Sequence, residues 1–116
     1  MAILIVEDEP LLLMDISEEL ERHGYEVLQA ENADDAIKIL ESRDDIQTIF
    51  TDIDVPGSMD GLKLAAAVRD RWPPINIIIT TGMKAPHADD MAARSLLLEK
   101  PYRNAQVLAA FRSFEE

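Results

Sequence analysis

The sequence has no cysteine and few basic residues, and both shortages narrow what the protein can be. Without cysteine there is neither a disulfide framework nor a thiolate metal site. Lysine and arginine total 11 against 23 aspartates and glutamates, which gives a formal net charge of −12. Because this charge repels phosphates, we expect no direct binding to nucleic acid. It suits a divalent cation or a basic protein partner instead.

Long apolar runs, repeats and linkers rich in proline, glycine or serine are also missing. No apolar run is long enough to span a bilayer, and the start of the chain has no basic segment of the kind found in signal peptides. We therefore expect a cytoplasmic protein without membrane contact. The 116 residues are the size of one domain, so residues 1–116 are predicted to form one domain. The sequence leaves open whether it is a natural single-domain protein or a piece of a larger one.

Short apolar runs alternate along the chain with longer amphipathic stretches. The runs predict strands over residues 3–6, 25–30, 48–51, 75–80 and 96–98, with helices between them and a last helix over 105–114. This alternation predicts an α/β fold with a parallel sheet and helices on both faces. The strands carry little polar alternation, which is typical of burial on both sides.

Polar residues follow four of the predicted strands, at the edge where parallel α/β sheets place their ligands. They are Glu7 and Asp8, Asp52, the Thr80-Thr81 pair, and Lys100. Taken singly, an acid after a strand is commonly a turn former and a lysine a surface residue. Together they suggest a site, because three gathered carboxylates need a cation among them. Hard oxygen ligands with room for water suit Mg²⁺.

A carboxylate held beside such an ion can attack phosphorus and form an aspartyl phosphate. The charge on the transferred group could then be shared among the metal, the Lys100 ammonium and a strand-end threonine hydroxyl. The residues alone therefore supply a sufficient set of groups for phosphoryl transfer.

The same residues make the chain resemble, along essentially its whole length, the receiver domains of bacterial two-component response regulators. The segments that carry the resemblance are Val6-Glu7-Asp8-Glu9, Thr51-Asp52-Ile53-Asp54-Val55-Pro56, Asp60-Gly61, Thr80-Thr81-Gly82 and Lys100-Pro101-Tyr102. The resemblance implies a flavodoxin-like fold whose five-stranded parallel sheet has the order 2-1-3-4-5, with five helices. It also implies a cis peptide bond between Lys100 and Pro101.

The resemblance also implies a set of metal ligands. Asp52 corresponds to the aspartate that accepts the phosphoryl group and also contacts Mg²⁺. Asp8 corresponds to the acid that binds the ion directly, and Glu7 to a neighbour that acts through water. Asp54 corresponds to the position that offers its backbone carbonyl to the metal. The Asp54 side chain either faces the site and influences the approach of water or is simply solvated.

The remaining roles concern the phosphoryl group and the signal. Thr81 corresponds to the switch hydroxyl and Lys100 to the lysine that contacts the phosphoryl group. The family receives phosphate from a histidine kinase or a phosphotransfer protein and hydrolyses it itself, so no other enzymatic activity is expected. The implied output is a shift between two conformations. An unknown downstream protein would read it on the face built from the fourth helix, fifth strand and fifth helix. A homodimer is left open.

Three features depart from the family pattern. The turn through Gly57-Ser58 is one residue longer than usual. The stretch from Thr81 to Lys100 is short by about three residues for a helix-containing crossover, which predicts a short or irregular fourth helix. Leu97 stands where the family often has an aromatic switch residue, so coupling through a rotating ring at that position is in doubt. Tyr102 is predicted to be a core residue rather than a switch.

Two other functions remain open. Asp52-Ile53-Asp54-Val55 also fits the D-x-D of haloacid-dehalogenase-like phosphatases, with Asp52 as nucleophile and Asp54 as acid and base. That motif normally follows the first strand of a longer chain, whereas here it follows the third. The other alternative is a pseudo-receiver, a binding module that never carries phosphate. The full set of acidic, hydroxyl and lysine residues argues against it.

Overall fold

The computed structural model describes residues 2–54, 59–82 and 94–115, which contain five strands and four helices. The elements in chain order are β1 Ala2–Val6, α1 Pro10–Arg22, β2 Glu26–Ala30, α2 Ala33–Ser42, β3 Ile46–Asp52, α3 Gly61–Arg71, β4 Asn76–Thr81, β5 Ser95–Glu99 and α4 Asn104–Ser113. The predicted alternation of strands and helices is confirmed, with strand boundaries that differ by at most two residues at either end.

The strands form one parallel sheet in the order β2-β1-β3-β4-β5, as the resemblance implied. The registers align the ends of neighbouring strands. Val6 pairs with Thr51, and Asp52 pairs with Thr80. β1, β3 and β4 therefore finish at one edge, and β5 finishes beside β4. Residues that directly follow these strands start from a common rim.

Local sequence signals set the helix ends. Pro10 occupies the first position of α1, where its missing N–H costs nothing. Gly24, just after α1, has a φ of +92°, in the left-handed region that favours glycine. The Asn32 side chain accepts a hydrogen bond of 2.7 Å from the Asp35 backbone N–H and so caps α2. Capping thus fixes where α2 begins, as the sequence predicted.

The sheet separates two apolar cores. One lies between the sheet and the α2–α3 layer, and its side chains include Leu40, Leu64 and Val68. The other lies against α1 and α4 and is built around Phe50 and Phe111. The central strands are buried on both faces, as predicted. β2 and β5, which end the sheet, are partly exposed, so the prediction of burial on both faces was wrong for these edge strands.

Two sequence predictions fall outside the described residues. The lengthened turn lies within residues 55–58, and the short fourth helix of the prediction lies within residues 83–93. The longer turn and the short helix therefore stay predictions. The last helix, which the resemblance counts as the fifth, is α4 in the present numbering. Within the described ranges, no helix has the length and apolarity that crossing a membrane requires.

Candidate functional site

The predicted site residues after β1 and β3 form one acidic cluster. Glu7, Asp8 and Asp52 each place a carboxylate oxygen within 4.8 Å of the others. Glu7 and Asp52 are only 3% and 6% exposed, whereas Asp8 is exposed to solvent. The sheet produces this arrangement, because β1 and β3 are neighbours that end at the same level. The cluster therefore has two buried carboxylates behind one that is open to solvent.

Backbone amides orient both buried carboxylates. The Asp8 N–H donates a hydrogen bond of 3.0 Å to Oε2 of Glu7. The Asp54 N–H donates one of 3.3 Å to Oδ1 of Asp52. The Asp54 side chain itself is exposed. The amide of Asp54 thus fixes one oxygen of Asp52 and leaves the other for a different partner.

That partner is Lys100, which follows β5. Its Nζ lies 2.7 Å from Oδ2 of Asp52 and 3.8 Å from Oε1 of Glu7. Burial of the ammonium opposes its charge, but the hydrogen bond to Asp52 and the charges of Asp52 and Glu7 outweigh this. The pKa of Lys100 is therefore raised. One cation thus pairs with two buried carboxylates that are both distant from it in the sequence.

The cluster carries more negative charge than one lysine balances. Burial, as the main cause, raises the pKa of Glu7 to about 7, with Lys100 opposing it and the charge of Asp52 adding to it. A carboxyl that retains its proton near neutral pH indicates a site that would gain from a further cation. Three clustered carboxylates, one of them exposed to solvent, are hard oxygen donors of the kind that Mg²⁺ prefers. The residues present fit that ion.

A hydrogen bond between backbone groups connects Thr81 and Lys100. The Lys100 N–H donates a hydrogen bond of 2.7 Å to the Thr81 carbonyl, where the chain leaves the paired strands β4 and β5. The peptide bond between Lys100 and Pro101 is cis, as the resemblance implied. Thr81 is buried at the end of β4, and a Cβ on Gly82 would lie 3.4 Å from Cδ of Lys100. The structure therefore brings the predicted switch threonine and lysine to the same rim as the acids.

Gly61 is a further site residue, and the sequence did not reveal why glycine is needed at this position. It opens α3, and its N–H donates a hydrogen bond of 2.8 Å to the Ile53 carbonyl. A Cβ at this position would lie 2.1 Å from the Asp52 carbonyl oxygen and 2.7 Å from Cα of Ile53. The Asp60 side chain caps the same helix by accepting from the Lys63 N–H at 2.9 Å. The only sequence signal was the Asp-Gly pair, which reads equally well as an ordinary turn.

Comparison with known proteins agrees with this geometry. The sequence matches the family model described as response regulator receiver domain over residues 3–112.

The chain belongs to the response regulator receiver domain family.

The curated relatives that this receiver domain resembles include response regulators. It is 30% identical over 83 residues to the response regulator protein FleR of Pseudomonas aeruginosa, covering 72% of this chain but 17% of FleR. It therefore spans less than a fifth of that relative's length.

Solved structures show the same fold. A response regulator receiver protein from Sinorhizobium medicae has a TM-score of 0.90 and 31% identity, with 97% of this chain and 91% of that chain covered. The response regulator TrrA of Thermotoga maritima, solved in complex with Mg²⁺-BeF, has a TM-score of 0.86 and 28% identity. There 97% of this chain and 98% of that chain are covered.

The receiver family bears on the functions that the sequence left open. A receiver domain of two-component response regulators is a signalling domain, and neither a haloacid-dehalogenase-like phosphatase nor a pseudo-receiver is favoured. The geometry agrees, because Asp54 contacts Asp52 through its backbone amide and turns an exposed side chain to solvent.

Proposed function

We propose that this receiver domain accepts a phosphoryl group on the Asp52 carboxylate from a phosphorylated histidine of a histidine kinase or phosphotransfer protein. One observation carries the proposal. The buried Asp52 carboxylate has a lysine ammonium 2.7 Å from one oxygen, and two further carboxylates each place an oxygen within 4.8 Å of it. A nucleophile toward phosphorus needs both a cation for the incoming oxygens and a place for a metal.

The transfer balances with the groups of this chain and the donor. An oxygen of Asp52 attacks phosphorus, the new O–P bond forms, and the P–N bond to the donor imidazole breaks. The imidazole keeps the electron pair of that bond and takes up a proton. The Lys100 ammonium would neutralise one oxygen of the transferred group, and the Thr81 hydroxyl would donate to another. Mg²⁺ bound at the acidic cluster would stabilise the developing charge as a Lewis acid.

The ligand roles follow from exposure and hydrogen bonding. Asp8 is exposed and free to bind the ion directly, together with Asp52. Glu7 is buried and one of its oxygens already accepts the Asp8 N–H, which suits binding through water. The backbone carbonyl of Asp54 is the fourth proposed ligand. The Mg²⁺-BeF complex of the similar TrrA protein supports an ion at this rim.

The signalling consequence is a change of conformation that a downstream protein detects, followed by hydrolysis of the aspartyl phosphate by the domain itself. The predicted contact face includes β5 and the last helix, α4, together with the predicted helix that lies outside the described residues. A net charge of −12 favours a protein partner over direct contact with nucleic acid. We place this function in the cytoplasm, where kinases of this class phosphorylate receivers.

Phosphorylation by a small donor tests the proposal. The protein is incubated with acetyl phosphate or phosphoramidate and Mg²⁺, and its intact mass is measured. We expect a gain of one phosphoryl group, which is lost in Asp52→Asn and when EDTA removes the metal. Asp54→Asn is the matched control and keeps the modification, because the backbone amide of Asp54 donates to Asp52 and the substitution leaves that backbone in place. An unmodified wild-type protein, or a modified Asp52→Asn, would refute the assignment. Sustained turnover of p-nitrophenyl phosphate would indicate a phosphatase instead.

A further inference from the structure

Four aromatic rings form a continuous series of contacts through the core between the sheet, α1 and α4. The Tyr102 ring meets Phe50 edge-on, with centroids 6.0 Å apart and planes at 85°. Phe50 stacks on Phe111 at 6.0 Å and 26°, and Phe111 contacts Tyr25 at 5.9 Å and 42°. The whole sequence has three phenylalanines and two tyrosines, so four of these five rings belong to this series. We call it the aromatic chain.

One end of the aromatic chain lies on the segment that follows Lys100. Tyr102 follows Lys100 by two residues, and the Lys100 ammonium contacts Asp52 and Glu7. Burial, followed by the charges of Glu7 and Asp52, raises the pKa of the Tyr102 hydroxyl. Tyr102 therefore shares a backbone segment with the lysine and lies within the electrostatic field of the acids.

The other end lies at the surface, where the last helix finishes. Tyr25 directly precedes β2, and its hydroxyl donates a hydrogen bond of 2.6 Å to Oε1 of Glu115. Glu115 follows α4, and its own N–H bonds to the Arg112 carbonyl. This tyrosine–carboxylate pair connects the start of β2 to the end of α4. The aromatic chain thus runs from the segment that carries Lys100 to a surface contact of the last helix.

We propose that the aromatic chain transmits the state of Asp52 to the end of α4, with Tyr102 doing what an aromatic residue at position 97 would otherwise do. Leu97 has no ring, and it packs against the α2–α3 core on the opposite side of the sheet. Tyr102, Phe50, Phe111 and Tyr25 all belong to the α1–α4 core. The inference rests on the proposed phosphorylation of Asp52.

The physical argument concerns Lys100 and dense packing. When Asp52 becomes an acyl phosphate, its contact with the Lys100 ammonium must be remade around the new oxygens. The segment that carries Lys100 also carries Tyr102, so the ring is displaced with it. Phe50 and Phe111 are each only 2% exposed, and a close-packed interior cannot absorb the shift locally. Edge-on and stacked rings are moreover sensitive to small changes of angle.

The two tyrosines provide a direct test, because they lie at the two ends of the aromatic chain. Biosynthetic 3-fluorotyrosine gives one ¹⁹F resonance from each, assigned with Tyr25→Phe and Tyr102→Phe. On addition of Mg²⁺ and beryllofluoride, a mimic of the phosphoryl group, we expect both resonances to shift. In Phe111→Leu the Tyr102 resonance should still shift and the Tyr25 resonance should no longer respond.

Phe114→Leu is the matched control, since Phe114 packs on the same core outside the aromatic chain. Its Tyr25 resonance should respond as in the wild type. The inference is wrong if the Tyr25 resonance does not shift in the wild type or if it still shifts in Phe111→Leu. It is also wrong if Phe114→Leu abolishes the shift as completely as Phe111→Leu does.

A second measurement uses the reciprocity of coupled sites. Tyr25→Phe removes the hydrogen bond to Glu115, and it should change the affinity for Mg²⁺-beryllofluoride by about fivefold or more. An unchanged affinity would overturn the inference. Failure of the proposed function is distinguishable, because then the intact mass shows no phosphorylation and the Tyr102 resonance does not respond. If the protein is phosphorylated and the Tyr102 resonance shifts but the Tyr25 resonance does not, the proposed transmission through the aromatic chain is refuted while the proposed function stands.

Discussion

Replacing Gly61 by alanine tests the contact that holds the Asp52 loop. A Cβ at Gly61 would lie 2.1 Å from the Asp52 carbonyl oxygen, 2.7 Å from Cα of Ile53 and 2.8 Å from the Asp52 carbonyl carbon. All three atoms are backbone, so no side chain can rotate away. Either the first turn of α3 or the loop after Asp52 must retreat by roughly 1 Å to reach ordinary contact distance.

The expected cost follows from two opposing effects. Alanine in place of glycine within a helix normally stabilises by about 0.5–1 kcal/mol. Overpacking a close contact costs about 1–3 kcal/mol, and a clash with backbone belongs at or above the upper end. We therefore expect Gly61→Ala to lower the free energy of unfolding by about 2 kcal/mol or more. For a domain of this size that corresponds to a melting temperature lower by roughly 8 °C.

Urea and thermal denaturation would measure this cost, with Trp72 fluorescence as a reporter because Trp72 directly follows α3. The displaced loop should also slow phosphorylation of Asp52 by acetyl phosphate. Gly82→Ala is the matched control, since among the described residues its Cβ would meet the flexible Lys100 side chain alone, at 3.4 Å. If Gly61→Ala is as stable and as readily phosphorylated as the wild type, or if Gly82→Ala is equally damaged, the proposed backbone contact does not control the site.

Three further predictions concern charge and capping. Lys100→Met leaves the buried carboxylates of Asp52 and Glu7 without their cation. We expect a loss of about 1–3 kcal/mol in EDTA, partly recovered on adding Mg²⁺ in thermal melts; an unchanged melting temperature would contradict the pairing. Since the folded pKa of Glu7 is raised to about 7 from 4.5, the metal-free fold binds this proton more tightly than the unfolded chain. Up to about 3 kcal/mol of stability, present below pH 4.5, is thus lost as the pH rises through 7. Glu7→Gln should flatten this slope in urea denaturation at a series of pH values, and an equally steep slope in the variant would exclude Glu7 as its source. Asp60→Ala removes the α3 cap and should cost about 1 kcal/mol by the same assay, whereas Asp60→Asn should cost much less.

The sequence alone located the strands and grouped the candidate residues of the site. Apolar and β-branched runs located the strands, and Asn32 located the start of α2, because such signals act over a few neighbouring residues. The rule that parallel strands collect ligands at their carboxyl ends was enough to group Glu7, Asp8, Asp52 and Lys100. Strand order was supplied by the resemblance rather than by the pattern of apolar residues.

Only the tertiary structure decided how those residues interact. The 2.7 Å contact of Lys100 with Asp52, the raised pKa of Glu7 and the need for glycine at position 61 each depend on groups distant in sequence. Tyr102 shows the same limit: the sequence placed it in the core, but its contact with Phe50, and hence with Phe111 and Tyr25, depends on how strands and helices pack. Backbone preferences are local, whereas desolvation, charge pairing and ring packing arise only when distant segments exclude water together.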